Sequence, residues 1–229
     1  MDPKLLTSLN AARRGRQAAI LITGLDDGSS RLVMRGDAVT GDLGAALSKA
    51  FLSGKSGTVE TEHGRYFLNV HLPAPRMVII GAVHISQALA PMAAMTGFDV
   101  KVIDPRTAFA TEDRFSSVDL VADWPEDALS DRPIDAFTAL VAVTHDPKID
   151  DWPLISALRA QAFYVGALGS RKTHAKRVER LAQAGLGEDQ IARIAAPIGL
   201  DIGAQSPEEI AVAILAQAIA ALRKDPGGA

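Results

Sequence analysis

Arg76-Met-Val-Ile-Ile-Gly81-Ala-Val-His84-Ile-Ser86-Gln-Ala-Leu-Ala90 is the stretch that decides the fold. An apolar run ends at a glycine and helical patterning begins at once. A nucleotide-binding βαβ unit opens in this way, presenting a helix N-terminus to a phosphate. The dinucleotide fingerprint G-x-G-x-x-G reads here as Gly81-Ala82-Val83-His84-Ile85-Ser86, so two of its three glycines are replaced. Gly81 allows the tight exit from the strand. Val83 sets a β-branched side chain where backbone would otherwise approach a pyrophosphate, and Ser86 adds bulk where helix and strand pack. The stretch predicts a nucleotide-like ligand, held differently than in the standard dehydrogenases. A βα turn with no ligand is the plainer alternative.

From Arg76 onward strand and helix patterns alternate. Met77–Ile80, Asp99–Ile103, Ala139–Val143 and Ala162–Val165 are short aliphatic runs suited to strands buried on both faces of a parallel sheet. Helical patterns lie between them, over 84–96, 149–160 and 171–184. A last helix starts with Ser206 as cap, Pro207 at its first position and Glu209 completing a capping box. Its stripe of Ile210, Ile214, Ala218 and Leu222 requires burial. The fold expected is therefore α/β, a Rossmann-like parallel sheet with helices on both faces, over residues 76–224.

A small α+β domain precedes it, over residues 1–72. Lys4–Arg14 and Asp42–Leu52 have helical patterns. Gln17–Thr23, Arg31–Met34, Thr58–Thr61 and Arg65–Val70 read as strands, with turns at Asp26-Asp27-Gly28-Ser29 and His63-Gly64. Pro73-Ala74-Pro75 reads as a stiff linker. The tail Asp225-Pro-Gly-Gly-Ala229 is expected to be loose.

Composition narrows the function. Aromatics are only 5% of a chain in which aliphatics abound, which suits helices on a sheet better than a β-sandwich. A net charge of -3 gives no bulk attraction to nucleic acid or to an anionic membrane. With no cysteine, disulfides, thiolate metal sites and thiol nucleophiles are excluded. Met1-Asp-Pro-Lys-Leu-Leu6 is no signal peptide, and no apolar run approaches the ~20 residues of a membrane span. The expected location is the cytoplasm.

Several loops carry residues with chemistry to offer. Asp104 ends the second strand, 23 residues after Gly81, where a carboxylate accepts ribose hydroxyls in dinucleotide enzymes. An Asx-turn around Pro105 is the alternative reading. Arg106 is placed to stack on a base or to meet a phosphate. Thr144, His145 and Asp146 follow the third strand, so they should face the same crevice as Gly81 and Asp104. Gly169-Ser170-Arg171-Lys172 opens a helix with two cations, which oppose the macrodipole unless an anion binds there. A solvated basic face is the alternative. His84, His145 and His174 fall in these loops, but no metal-ligand spacing links them.

Taken together these motifs resemble the XdhC/CoxI family, accessory proteins of xanthine dehydrogenase and related molybdenum hydroxylases. The resemblance runs from Met77 to Leu222. It rests on Gly81-Ala-Val-His84, Val102-Ile-Asp104-Pro105-Arg106 and Val143-Thr144-His145-Asp146, and above all on two longer segments. These are Tyr164-Val-Gly166-Ala-Leu-Gly169-Ser170-Arg171-Lys172-Thr173-His174 and Ala196-Pro-Ile-Gly199-Leu-Asp201-Ile-Gly203-Ala204 with Pro207-Glu-Glu-Ile210. The resemblance implies a chaperone without turnover. It would bind molybdenum cofactor, as molybdopterin or molybdopterin cytosine dinucleotide, and protect it during sulfuration by a cysteine desulfurase. It would then hand it to an apo molybdenum hydroxylase. The implied cofactor-binding set is Gly81, Ala82, Val83, His84, Asp104, Arg106, Thr144, His145, Asp146, Gly169, Ser170, Arg171, Lys172 and Asp201. A homodimer is implied by the family and by the breadth of the C-terminal stripe. Family members commonly read Gly-Ala-Gly-His in the first turn, and many carry a longer N-terminal domain with a Ser-Gly-Gly-Cys segment. This chain has Val83 and no cysteine, so a role for that thiol does not carry over. Two other readings compete: an NAD(P)-dependent oxidoreductase, and an interaction module with a vestigial nucleotide pocket.

Overall fold

The structure is a computed structural model that describes residues 2–116 and 118–223. The chain forms two compact units, the first running to Pro73 and the second spanning Ala74–Leu222. The expected loose tail from Asp225 lies outside the described residues.

The first unit is a four-stranded antiparallel sheet in the order β2-β1-β4-β3. Its strands are β1 (Ala19–Gly24), β2 (Ser30–Met34), β3 (Gly57–Thr61) and β4 (Gly64–His71). Helices α1 (Pro3–Arg14) and α2 (Gly41–Ser53) accompany them. Leu9 and Ala12 of α1 are buried against Ala19 of β1, with Leu32 and Met34 packed beside them. Asp2 caps α1 by accepting from the Lys4 N–H at 2.8 Å, and Pro3 fills the first helical position, where a missing N–H costs nothing.

In the second unit six parallel strands are ordered β10-β9-β8-β5-β6-β7. The strands are β5 (Arg76–Ile80), β6 (Asp99–Ile103), β7 (Asp119–Val121), β8 (Thr138–Ala142), β9 (Tyr164–Ala167) and β10 (Ile194–Ala195). Counted from β5, this is the 3-2-1-4-5-6 order of the doubly wound dinucleotide-binding sheet. Its direction of winding reverses between β5 and β8.

Strand alternation sorts the core into two faces. Met77, Ile79, Val102, Ala139 and Val141 point to one face, covered by α3 (His84–Met95) and α8 (Pro207–Arg223). Val78, Ile80, Ile103, Leu140 and Ala142 point to the other. There lie α4 (Pro125–Ala128), α5 (Pro147–Arg159), α6 (Arg171–Gln183) and α7 (Glu188–Ile191). The strand-helix alternation is therefore as the sequence predicts, with local differences. The fifth strand starts at Tyr164 rather than Ala162, because the Ala162 N–H is spent on the Ala157 carbonyl at the end of α5, 2.9 Å away. The edge strands β7 and β10 escape the pattern because each is too short to show alternation.

Helix α8 begins as its sequence predicts. The Glu209 N–H donates to the Ser206 hydroxyl at 3.2 Å, and the Glu209 carboxylate accepts from the N–H groups of Gln205 and Ser206. Its stripe, however, faces the chain's own sheet. Ile214 and Ala218 are fully buried in the first core, and Ile210 and Leu222 pack against it. The stripe is satisfied within the unit and gives no support to a homodimer. Ile214→Ala should therefore cost about 2–5 kcal/mol in urea denaturation. Val212→Ala, on the outer side of the same helix, should shift stability by less than about 0.5 kcal/mol.

Candidate functional site

The carboxyl ends of β5 and β8 lie side by side at the point where the winding reverses, and the loops leaving them depart to opposite faces. Gly81 leaves β5 with φ +116 and donates its N–H to the Ile103 carbonyl at 2.8 Å. A Cβ there would stand 2.9 Å from Thr144 Cγ2 and 3.3 Å from the Thr144 nitrogen. Both torsion and space therefore demand glycine. The next two fingerprint positions behave otherwise. Val83 begins α3 with extended backbone and no side-chain cap, its own side chain half-buried against the core. Ser86 is fully buried and its hydroxyl donates to the Gly81 carbonyl, pinning the turn to the helix. His84, the first helical residue, is exposed.

Asp104 sits where the spacing predicts, at the end of β6, but it is fully buried and its oxygens are taken. Oδ2 accepts from the Ala82 N–H at 2.8 Å and from Arg106 Nη2 at 2.8 Å. Oδ1 accepts from the Arg106 N–H and Arg106 Nε, each at 2.9 Å. Burial pushes this carboxyl up, yet the hydrogen bonds from Arg106 and Ala82 outweigh it and hold it below the ordinary carboxylate value. The Asx-turn reading thus describes the geometry, and a ribose could reach Asp104 only with Arg106 displaced. Arg106 also lies over the Phe109 ring, 4.6 Å from its centre.

After β8, Thr144 is buried, and its hydroxyl accepts from the Asp146 N–H at 3.0 Å and donates to Asp150 Oδ1 at 2.7 Å. His145 takes φ +66 and is exposed, while Asp146 caps α5 by accepting from the Lys148 N–H at 3.0 Å. After β9, Gly169 has φ +139, and Ser170 caps α6 by accepting from the Thr173 N–H at 3.2 Å. Arg171 and Lys172 are exposed. The fold thus brings Gly81 against Thr144, Ala82 against Asp104, and His145 and Lys172 into one cleft. Asp201 is exposed in the segment between β10 and α8, and among the described residues it shares no hydrogen bond or ion pair with these loops. No three His, Cys, Asp or Glu side chains gather as metal ligands among the described residues.

That cleft, of about 360 Å³, lies between the start of α5 and the first turns of α6. It contains residues that the loop motifs do not single out. Asp150 and Arg177 line it, and each is only 2% exposed. The signal for both was helical periodicity. Asp150 shares its face of α5 with Leu154 and Ala157, and Arg177 lies one turn before the buried Leu181. Lys172, Lys176 and Arg180 recur at four-residue spacing along the cleft. Arg180 is matched by Asp151, whose oxygens accept from Nε at 2.6 Å and Nη2 at 3.0 Å.

Burial raises the Asp150 carboxyl from 3.8 to about 6, and the Thr144 hydroxyl and the Arg177 charge offset this only in part. Below the ordinary value Asp150 is protonated in folded and unfolded chains alike. Between the ordinary value and about 6 the unfolded carboxyl ionises while the buried one stays protonated, so stability falls across that window, by roughly 3 kcal/mol in all, and levels off once the folded carboxyl ionises too. Asp150→Asn keeps an oxygen for Thr144 and removes that penalty. It should raise the thermal midpoint at pH 8 and leave it unchanged at pH 4. A variant no more stable at pH 8 would contradict this account.

The XdhC Rossmann domain signature matches residues 77–218. The chain is 30% identical over 204 residues to the uncharacterised protein YqeB of Escherichia coli (strain K12), covering 84% of this chain and 32% of that one. It is 36% identical over 148 residues to a probable xanthine dehydrogenase subunit from Bacillus subtilis (strain 168), covering 64% of this chain and 43% of that protein. It is 30% identical over 145 residues to the molybdenum cofactor insertion chaperone PaoD of Escherichia coli (strain K12), covering 63% and 39%. Among solved structures, a xanthine dehydrogenase from Bacillus halodurans aligns with TM-score 0.61 and 25% identity, over 98% of this chain and 65% of the other. The chain thus spans less than half the length of these three curated relatives. With its match over residues 77–218 and the six-stranded parallel sheet that carries it, the chain belongs to the XdhC family.

Proposed function

We propose that this protein binds molybdenum cofactor, as molybdopterin or its cytosine dinucleotide, and delivers it to an apo molybdenum hydroxylase. The reading places the cofactor at the carboxyl rim of the parallel sheet, with the protein acting in the cytoplasm and without turnover of its own. The observation that carries it is the reversal of winding between β5 and β8, in a chain of the XdhC family. The PaoD relative, named a molybdenum cofactor insertion chaperone, supports the choice of cargo.

The residues at the rim suit a phosphorylated ligand. Helix α3 starts without a side-chain cap, so the N–H of its exposed first residue, His84, is left for an anion. Lys172 and Lys176 stand exposed on α6, their ammonium groups in no hydrogen bond or ion pair among the described residues. The cargo would bring the metal and its sulfur ligands. The chain has no cysteine, so its part is to hold the phosphate and the pterin and to keep water away. A cysteine desulfurase would act on the cofactor while it is bound, and the hydroxylase would receive it. Because Arg106 closes off Asp104, a form that does not need that carboxylate fits better, which favours molybdopterin over the dinucleotide.

Gel filtration of the protein with molybdopterin should show co-elution, followed by activation of an apo hydroxylase on mixing. His84→Glu sets a carboxylate at the start of α3 and should weaken retention several-fold through repulsion. Failure of the wild type to retain either cofactor form would overturn the proposal. Micromolar binding of NADH, read from nicotinamide fluorescence, would favour the oxidoreductase reading that the strand order also permits.

A further inference from the structure

The cleft between α5 and α6 holds an imbalance that packing does not require. Arg177 is buried, and among the described residues only its Nη2 is bonded, donating to the Leu168 carbonyl at 3.0 Å. Its Nε and Nη1 are buried without a partner. Asp150, equally buried, accepts from the Thr144 hydroxyl at Oδ1 and has no hydrogen-bond donor at Oδ2 among the described residues. Buried groups left unsatisfied are costly, and opposite charges in one cleft ordinarily close on each other. No ion pair joins these two among the described residues. With Arg180 matched by Asp151, three cations remain, Lys172, Lys176 and Arg177, against the one carboxyl of Asp150. A guanidinium with two spare nitrogens and two lysines beyond it form a donor set for a tetrahedral oxyanion.

We infer that the α5–α6 cleft is an oxyanion pocket for the phosphoryl end of a small ligand, with Arg177 as its anchor, Lys172 and Lys176 at its mouth, and Asp150 as an opposing carboxylate that weakens binding while it is charged. In the delivery reading the phosphoryl group would be the cofactor's. The pocket rests on its own geometry and does not need that reading. It shares Lys172 and Thr173 with the first turn of α6, but its anchor belongs to neither of the helix starts to which the sequence motifs point. At α6 the Ser170 hydroxyl is already engaged by Thr173, and the anchoring guanidinium lies two turns further along.

Proton linkage follows from the composition of the cleft. The charged groups about Asp150 are Arg177, Lys172, Lys176 and Arg180 of α6 and His145 of the preceding loop, which line the same cleft, and Arg106, whose charge it also meets; Asp146 and Asp151 are its neighbours along the chain. An anion placed among these cations favours the neutral form of Asp150, whose Oδ2 could then donate to it. Anion binding should therefore take up a proton and strengthen as pH falls from 8 to 6.

The test is amide NMR titration of the full chain with sulfate, which does not itself titrate in this range, and with inorganic phosphate, chloride holding ionic strength constant. The expected result is saturable shifts centred on residues 145–150 and 170–180. Arg177→Gln should weaken binding at least about tenfold, and so should the surface pair Lys172→Ala with Lys176→Ala, which leaves the core intact. Asp150→Asn should strengthen it several-fold and flatten its pH dependence. The inference is overturned if wild type shows no saturable shift, if the shifts centre on residues 82–87, or if the lysine pair binds as wild type does. Sulfate binding without retention of molybdopterin would uphold the pocket and remove the delivery reading.

Discussion

Everything at the candidate site depends on how tightly β5 and β8 approach at the rim of the sheet. Gly81 and Thr144 meet so closely there that even a methyl group on Gly81 would strike the Thr144 side chain. That contact is the hinge of the doubly wound topology. One chain segment must turn toward α3 and its neighbour toward α5, and a space opens between them only because both leave the sheet at once. Thr144 then acts on both sides. Its methyl packs under Gly81, and its hydroxyl reaches Asp150 on the other face.

Two buried aspartates near this rim show how hydrogen-bond partners, more than burial, set the state of a charge. Asp104 has four donors from Ala82 and Arg106 and remains ionised despite complete burial. Asp150 has the Thr144 hydroxyl on one oxygen, with the backbone N–H groups of Thr144 and His145 lending weaker support, and burial prevails. The first is a structural clamp that ties the β5–α3 turn to the end of β6. The second is a poised group beside a guanidinium that is itself short of acceptors. Incomplete satisfaction of this kind is uncommon in a core, and a ligand or an ordered water is what can supply the missing partner.

The replaced fingerprint glycines follow from the same packing. Ser86 substitutes a hydrogen bond to the Gly81 carbonyl for the close helix–strand approach that a third glycine allows. Val83 buries part of its side chain in the core beneath α3. The helix start is kept, but the backbone cradle of a dehydrogenase is not. The cationic side chains at this end of the sheet are those of α6, where Lys172, Lys176 and Arg177 line one cleft.

The sequence by itself determined the alternation of strands and helices, the glycine at residue 81, the caps of α6 and α8, and the family. Each of these is written in local period, local torsion or contiguous motif, and needs no knowledge of what lies across the fold. Tertiary structure alone decided which charges are satisfied. Asp104 looked available until Arg106 folded back on it. Asp150 and Arg177 looked like ordinary helix polar residues until α5 and α6 packed side by side on one face of the sheet. The stripe of α8 looked like an interface until the chain's own strands covered it. Burial and hydrogen-bond partnership arise between segments remote in the chain, so they emerge only when the sheet has brought those segments together.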